Sequence, residues 1–190
     1  MAAPDGFYYE SLALTPQHAA SVLKWCVDQA LTCWFTAPGE RRVLQYGHWF
    51  DYKTHKLSPF DLDSEWAVIP ETLTSLLQTQ GLDPRDFDQC IVNLYEAGIG
   101  IARHVDADCF GNTVVVFTLG AVDPVTLAYG PRKYTFTPAV GSVYTLMDEA
   151  RWLWSHQVDP SPTRSCHRVS VTFRSVKVDR KKTKRLVFMR

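Results

Sequence analysis

His104-Val105-Asp106 sets an imidazole and a carboxylate two residues apart. On extended backbone, alternate side chains share a face, so both groups can reach one metal ion. A third ligand is needed, and the candidates are His156 and His167. His156 follows the apolar run Trp152-Leu153-Trp154 and stands at the end of a predicted strand. His167 directly precedes Arg168, and alternation turns it away from the face that Arg168 uses. His156 is therefore the better third ligand. Two histidines and one carboxylate, with further positions open, is the arrangement of non-haem iron(II) oxygenases. A structural zinc site is usually closed by four ligands, often cysteines, and Cys109 keeps that alternative open.

A second group lies in Arg168-Val169-Ser170-Val171-Thr172-Phe173-Arg174. Strand parity puts Arg168, Ser170, Thr172 and Arg174 on one face and Val169, Val171 and Phe173 on the other. The apolar face belongs to a core. Two arginines on an inward face need anions, and a dicarboxylate supplies two, each suited to bidentate pairing. The strand ends are about 20 Å apart, so the two long side chains must lean together. By the same parity Asn93 and Tyr95 share a face, where an amide and a phenol can complete the hydrogen bonds of a bound carboxylate.

These side chains need a rigid carrier. The chain has 190 residues, 46% hydrophobic and 21% charged, which suits one compact domain. A helix is expected from Thr15-Pro16, with Thr15 as cap and Ala19, Val22, Leu23, Cys26, Val27 and Ala30 on its apolar face. A second is expected from Pro70 to Gln80, stopped by Gly81. The aromatic stretch from Leu44 to Phe60 reads as a hairpin or two short strands. Further strands are expected at Cys90–Tyr95, Thr113–Leu119, Tyr134–Thr137, Ser142–Leu146, Trp152–Ser155 and Arg168–Ser175, with Gly and Pro between them. The fold class is α+β: a double-sheet jelly roll with two N-terminal helices bracing one sheet.

The order of these groups resembles the AlkB family of Fe(II)- and 2-oxoglutarate-dependent dioxygenases. Asn93-Leu94-Tyr95-Glu96-Ala97-Gly98 is similar to that family's N-x-Y-x-x-G stretch, and His104-x-Asp106 follows at the expected distance. Asp148 to His156 resembles the segment around its distal iron histidine, and Arg168-x5-Arg174 matches its closing arginine pair. The resemblance covers roughly residues 41 to 175. It implies a double-stranded β-helix in which His104, Asp106 and His156 bind Fe(II). It further implies that Arg168 and Tyr95 hold the distal carboxylate of 2-oxoglutarate, while Arg174 and Asn93 lie near the carboxylate that touches iron. Ser170 stands where the family's bacterial repair enzyme has a longer amide, and a hydroxyl can still donate one hydrogen bond. The implied reaction consumes O2, converts 2-oxoglutarate to succinate and hydroxylates a C–H bond. On an N-methyl group the product then releases formaldehyde.

The resemblance also implies a substrate class. Arg41 to Tyr52 is similar to the family's nucleotide-recognition lid, with Arg41 and Arg42 for phosphate and Gln45, Tyr46, Trp49 and Tyr52 for a base. Asp108 is placed to reach an exocyclic amine. Domain limits follow: residues 1–176 form one dioxygenase domain, with the lid at 41–60 and the jelly-roll core at 89–175. Residues 177–190 form a basic tail. The leading expectation is demethylation of alkylated bases in single-stranded DNA or RNA. Hydroxylation of a modified tRNA base is second, since the lid and the step from Arg151 to His156 look like the tRNA wobble-uridine branch. That branch's accessory domains have no room here.

Charge keeps a protein substrate in view as well. Residues 174–190 carry eight basic side chains against Asp179 alone, net +7, which leaves −7 on the other 173 residues. Nucleic-acid contact would lean on the tail, whereas the acidic body would suit a basic peptide. Lys181 to Arg185 resembles a nuclear-import signal, and the five scattered cysteines read as reduced intracellular thiols. Met1 to Glu10 has neither the positive flank nor the apolar run of a secretory signal, and no membrane span is expected. Oligomeric state is not legible.

Overall fold

The structure, a computed structural model, describes residues 2–33, 35–162 and 166–177. In chain order its elements are β1 (Phe7–Glu10), α1 (Pro16–Cys33), β2 (Phe35–Thr36), β3 (Arg42–Tyr46), β4 (His48–Asp51), β5 (Lys56–Pro59) and α2 (Glu71–Thr79). A short 3-10 turn at Pro84–Asp86 leads to β6 (Gln89–Tyr95), β7 (Ile101–His104), β8 (Phe110–Gly120), β9 (Val125–Tyr129) and β10 (Arg132–Phe136). The remainder is β11 (Val143–Leu146), α3 (Asp148–Trp152), β12 (Ser155–Val158) and β13 (Arg168–Val176).

Two antiparallel sheets face each other. The larger has seven strands in the order β1-β11-β8-β13-β6-β3-β2, and the smaller has four in the order β10-β9-β12-β7. Strand parity divides the core in two. Val169, Val171 and Phe173 of β13 join Val92 and Leu94 of β6 and Val115, Phe117 and Leu119 of β8 on the outer face. Val22 and Cys26 of α1 and Leu73, Leu76 and Leu77 of α2 join the same cluster. Between the sheets, Tyr95, Val114, Val116, Tyr144 and Leu146 pack against Val125, Leu127, Val158, Tyr134 and Phe136. This is the expected α+β jelly roll.

Some elements differ from the expectation. Trp152 does not open a strand: it ends α3, and the strand carrying the distal histidine is β12, three residues later. The apolar run there is short, and Ala150 and Trp154 reach the inter-sheet core from a helical turn instead. β1, β2 and β3 join the main sheet from before residue 89, β1 by pairing with β11. The 44–60 stretch splits. β3 pairs with β6, while β4 and β5 form a separate hairpin. Gly47 makes that break possible: its φ is +78°, and a Cβ there would sit 2.0 Å from the Asp88 carbonyl oxygen. No helix among the described residues is long and apolar enough to cross a membrane. Most of the basic tail, including Lys181–Arg185, lies outside the described residues.

Candidate metal and co-substrate site

β7 and β12 are hydrogen-bonded neighbours, and their register sets His104 directly opposite His156. The next pair is Val158 with Ile101, so β7 has one extra residue between the pairs. This bulge puts Ile101 and His104, three residues apart, on the inner side, as bulges beside active sites do. The two imidazole rings lie 4.2 Å apart. Asp106 follows β7 in the loop to β8. One ligand atom from each of His104, Asp106 and His156 falls within 4.8 Å of the others, and no cysteine among the described residues joins them.

The donor set fits a divalent metal. His104 Nδ1 donates to the Ala102 carbonyl at 2.8 Å, which leaves Nε2 with its lone pair for a ligand. Asp106 Oδ2 and His156 Nδ1 are buried and make no hydrogen bond to protein. His156 Nε2 is 4.0 Å from Asp106 Oδ2. Arg174 Nη2 donates to the other carboxylate oxygen, Oδ1, at 2.7 Å. Burial alone would raise the Asp106 pKa, but Arg174 and the two imidazoles outweigh it and hold the carboxyl well below its usual range. Burial, then the neighbouring His104, pushes His156 down to about 3. Burial also lowers His104, against the pull of Asp106. Both rings are thus neutral and the carboxyl is charged, the protonation state a metal requires.

β6 and β13 supply the second group. Their register pairs Arg168 with Tyr95, Ser170 with Asn93 and Arg174 with Gln89. Ser170 Oγ accepts from Asn93 Nδ2 at 3.3 Å and lies 3.4 Å from the Tyr95 hydroxyl. The Arg168 guanidinium lies 4.8 Å over the Tyr95 ring. It is fully buried, and none of its three nitrogens hydrogen-bonds to protein. Buried donors of this kind call for a ligand, and an anion fits. Thr118 Oγ1 and Ser142 Oγ, also fully buried and unbonded, sit at the same end of the sheet. Sequence reasoning missed Asp123, whose carboxylate is fully buried 4.0 Å from Arg168 Nε. A lone Asp-Pro step reads as a turn, and nothing in it signals burial.

A cavity of about 360 Å³ joins the metal group to Asn93, Tyr95, Ser170 and Arg174, and Arg168 lies behind its wall rather than on it. The cavity is lined by His104, Asp106 and His156, by Asn93, Tyr95, Ser170 and Arg174, and by Arg41, Phe50 and Tyr52 from the lid. Arg41 is buried, donates from Nε to Asn93 Oδ1 at 2.8 Å and lies 5.8 Å from the Tyr52 ring centroid. The other lid residues lie elsewhere. Arg42 is half-exposed, 3.9 Å from Glu96. Gln45 is buried and bonds to both backbone groups of Phe50, bracing the β3–β4 corner. Tyr46 packs on the helix side against Trp25 and Trp66. Trp49 packs edge-on against Phe35 and Phe60. Asp108 is exposed in the loop beyond Asp106.

Two sheets enclosing an open His-Asp-His cluster and a buried arginine define a mononuclear metal oxygenase scaffold. The model of the 2OG-Fe(II) oxygenase superfamily matches residues 19–174, and the chain belongs to that superfamily. It is a dioxygenase of the AlkB-like kind, and the family's cofactors are Fe(II), 2-oxoglutarate and O2. Uncharacterized protein L905 of Acanthamoeba polyphaga mimivirus is 27% identical over 97% of this chain and 91% of its own length. The tRNA (carboxymethyluridine(34)-5-O)-methyltransferase alkbh8 of Xenopus tropicalis is 29% identical over 63% of this chain but only 20% of that protein. The Alkylated DNA repair protein ALKBH8 homolog of Arabidopsis thaliana is 25% identical over 73% of this chain and 50% of that protein. The structure of OsALKBH1 superposes with a TM-score of 0.72 at 17% identity, covering 92% of this chain and 99% of that one.

Proposed function

We propose that this chain oxidatively demethylates alkylated bases in single-stranded DNA or RNA. In this reading His104, Asp106 and His156 hold Fe(II). Arg168, Tyr95 and Ser170 take the distal carboxylate of 2-oxoglutarate, and Arg174 and Asn93 lie by its 2-oxo acid end. Iron, 2-oxoglutarate and O2 together supply the oxidation of a C–H bond, with 2-oxoglutarate leaving as succinate and carbon dioxide. The chain's own residues position and shield. Arg174 fixes one Asp106 oxygen and leaves the other for metal, while Val114, Val116 and Val158 keep the cavity wall apolar.

The observation that carries the substrate class is the shared cavity. The His-Asp-His cluster and the Arg41–Tyr52 pair face the same space. An aromatic ring beside a guanidinium is a suitable wall for a flat base taken out of its stack. Demethylation also agrees with the name of the Arabidopsis relative. A second reading, hydroxylation of a modified tRNA base, takes its tRNA substrate from the name of the Xenopus relative, a tRNA (carboxymethyluridine(34)-5-O)-methyltransferase of which this chain matches 20%. Incubation with singly methylated oligonucleotides, total tRNA and methylated peptides, followed by mass spectrometry and formaldehyde assay, separates them. Loss of 14 Da with formaldehyde from an oligonucleotide, the mass of one CH2 group, supports the proposal. Gain of 16 Da on tRNA, the mass of one oxygen atom, or turnover of the peptides alone, overturns it.

A further inference from the structure

Arg151 takes no part in the roles assigned above, yet it is one of the largest fully buried side chains, 1% exposed. Its guanidinium donates into the loop between β7 and β8, which carries Asp106, and into the first two residues of β8. Nη1 reaches the Asp106 carbonyl at 3.0 Å, and Nη2 reaches those of Ala107 at 2.8 Å and Phe110 at 3.5 Å. Nε reaches the Gly111 carbonyl at 3.1 Å. Carbonyls withdrawn from water need donors, and one planar fork meets two in the loop and two at the start of β8. Lysine, a single point with no fork, could not.

The base of this fork is itself fixed. α3 begins at Asp148, whose φ of +46° is a left-handed conformation that persists only where surroundings impose it. Asn112 imposes it by a reciprocal pair: its Nδ2 donates to Asp148 Oδ1 at 2.9 Å, and the Asp148 N–H donates to its Oδ1 at 3.2 Å. Trp152 Nε1 also donates to Asn112 Oδ1, at 2.6 Å. The Trp152 ring has the Arg151 guanidinium 4.1 Å away and Lys177 Nζ 4.2 Å away. The Lys177 N–H donates to the Cys109 carbonyl, adding a further tie to the same loop.

We propose that Arg151 is the positioning residue that aims the Asp106 carboxylate at the two histidines before metal arrives. The inference rests on reading His104, Asp106 and His156 as metal ligands. α3 then serves two of those ligands. It leads into β12, which presents His156, and through Arg151 it sets the backbone that carries Asp106. Loss of the fork frees the loop, so metal affinity drops while the β6–β13 subsite for the distal carboxylate, on the other sheet, is untouched.

Co(II) titration of the wild-type protein and of Arg151→Lys, followed by visible absorption, tests this. The variant keeps the charge and the buried stem. Its Co(II) affinity is expected to fall about 10- to 100-fold, the range for lost supporting contacts, with a changed absorption envelope. At saturating Co(II) its 2-oxoglutarate affinity should stay within about threefold of wild type. Asn112→Ala loosens α3 without touching Arg151 and should weaken Co(II) binding in the same direction, so the test survives if Arg151→Lys does not fold. Unchanged Co(II) affinity in either folded variant, or equal losses of Co(II) and 2-oxoglutarate affinity, overturns the inference and leaves the metal site standing. A wild-type protein that binds no Co(II) overturns the metal site itself.

Discussion

Replacing Arg168 by methionine removes the guanidinium and keeps most of the buried volume. The guanidinium has Tyr95 on one face and Asp123 near Nε, which leaves Nη1 and Nη2 for an incoming carboxylate. A charge-assisted hydrogen bond contributes about 1.5–3 kcal/mol. Two in parallel would give about 3–6 kcal/mol, and Asp123, which already shares the cation, argues for the lower end. A loss of about 3 kcal/mol is roughly 150-fold in Kd. The variant also takes a neighbouring cation from the fully buried Asp123, at a cost of up to about 3–5 kcal/mol of stability, so Arg168→Met with Asp123→Asn is the better-folded partner. Calorimetric titration of the Mn(II)-loaded protein with 2-oxoglutarate and with 2-oxobutyrate, which has no distal carboxylate, isolates the effect. 2-Oxoglutarate should lose its advantage over 2-oxobutyrate in both variants. An unchanged preference would mean that Arg168 only fills the core, and the subsite reasoning would fail.

Other outcomes are expected. His104→Ala should abolish succinate formation from 2-oxoglutarate, measured with iron in excess; normal turnover would remove His104 from the ligand set. Tyr52→Ala should raise KM for an oligonucleotide substrate about 5- to 150-fold, since base stacking contributes about 1–3 kcal/mol, while calorimetric 2-oxoglutarate affinity holds; equal loss of both would make Tyr52 structural. The metal-free protein should lose stability as pH falls. His156, and in the same direction His104, have folded pKa values below the ordinary 6.5, so the unfolded chain takes up protons first. The loss begins near pH 6.5, continues toward pH 3 at up to about 1.4 kcal/mol per pH unit for each group, and is extended by Asp106 below its ordinary 3.8. Urea melts that are flat from pH 7 to 4 would contradict it.

What could be read from residues follows from where periodicity survives. In β13 and β6 the alternation is unbroken, so Arg168, Ser170, Asn93 and Tyr95 fall on one face as parity requires. The His-x-Asp pair is legible as chemistry, but its strand is not. β7 has four residues and a bulge, and neither leaves a pattern. α3 is hidden for a related reason: five residues cannot show a helical period, and the following Trp154 reads as strand. In the lid, Tyr46 and Tyr52 look alike as aromatics near arginines. Only the turn at Gly47 sends one under the helices and the other to the cavity. Asp123 and Arg151 are invisible because burial of a single charged side chain is a tertiary fact.

The central claim is that His104, Asp106 and His156 hold one iron with 2-oxoglutarate beside it. Anaerobic addition of Fe(II) and then 2-oxoglutarate, watched by visible absorption, addresses it directly, because a 2-oxo acid chelating Fe(II) gives a charge-transfer band. The wild-type protein should develop the band only when both are present, and His156→Ala should not develop it. No band in the wild type, or an equal band in His156→Ala, would contradict the account.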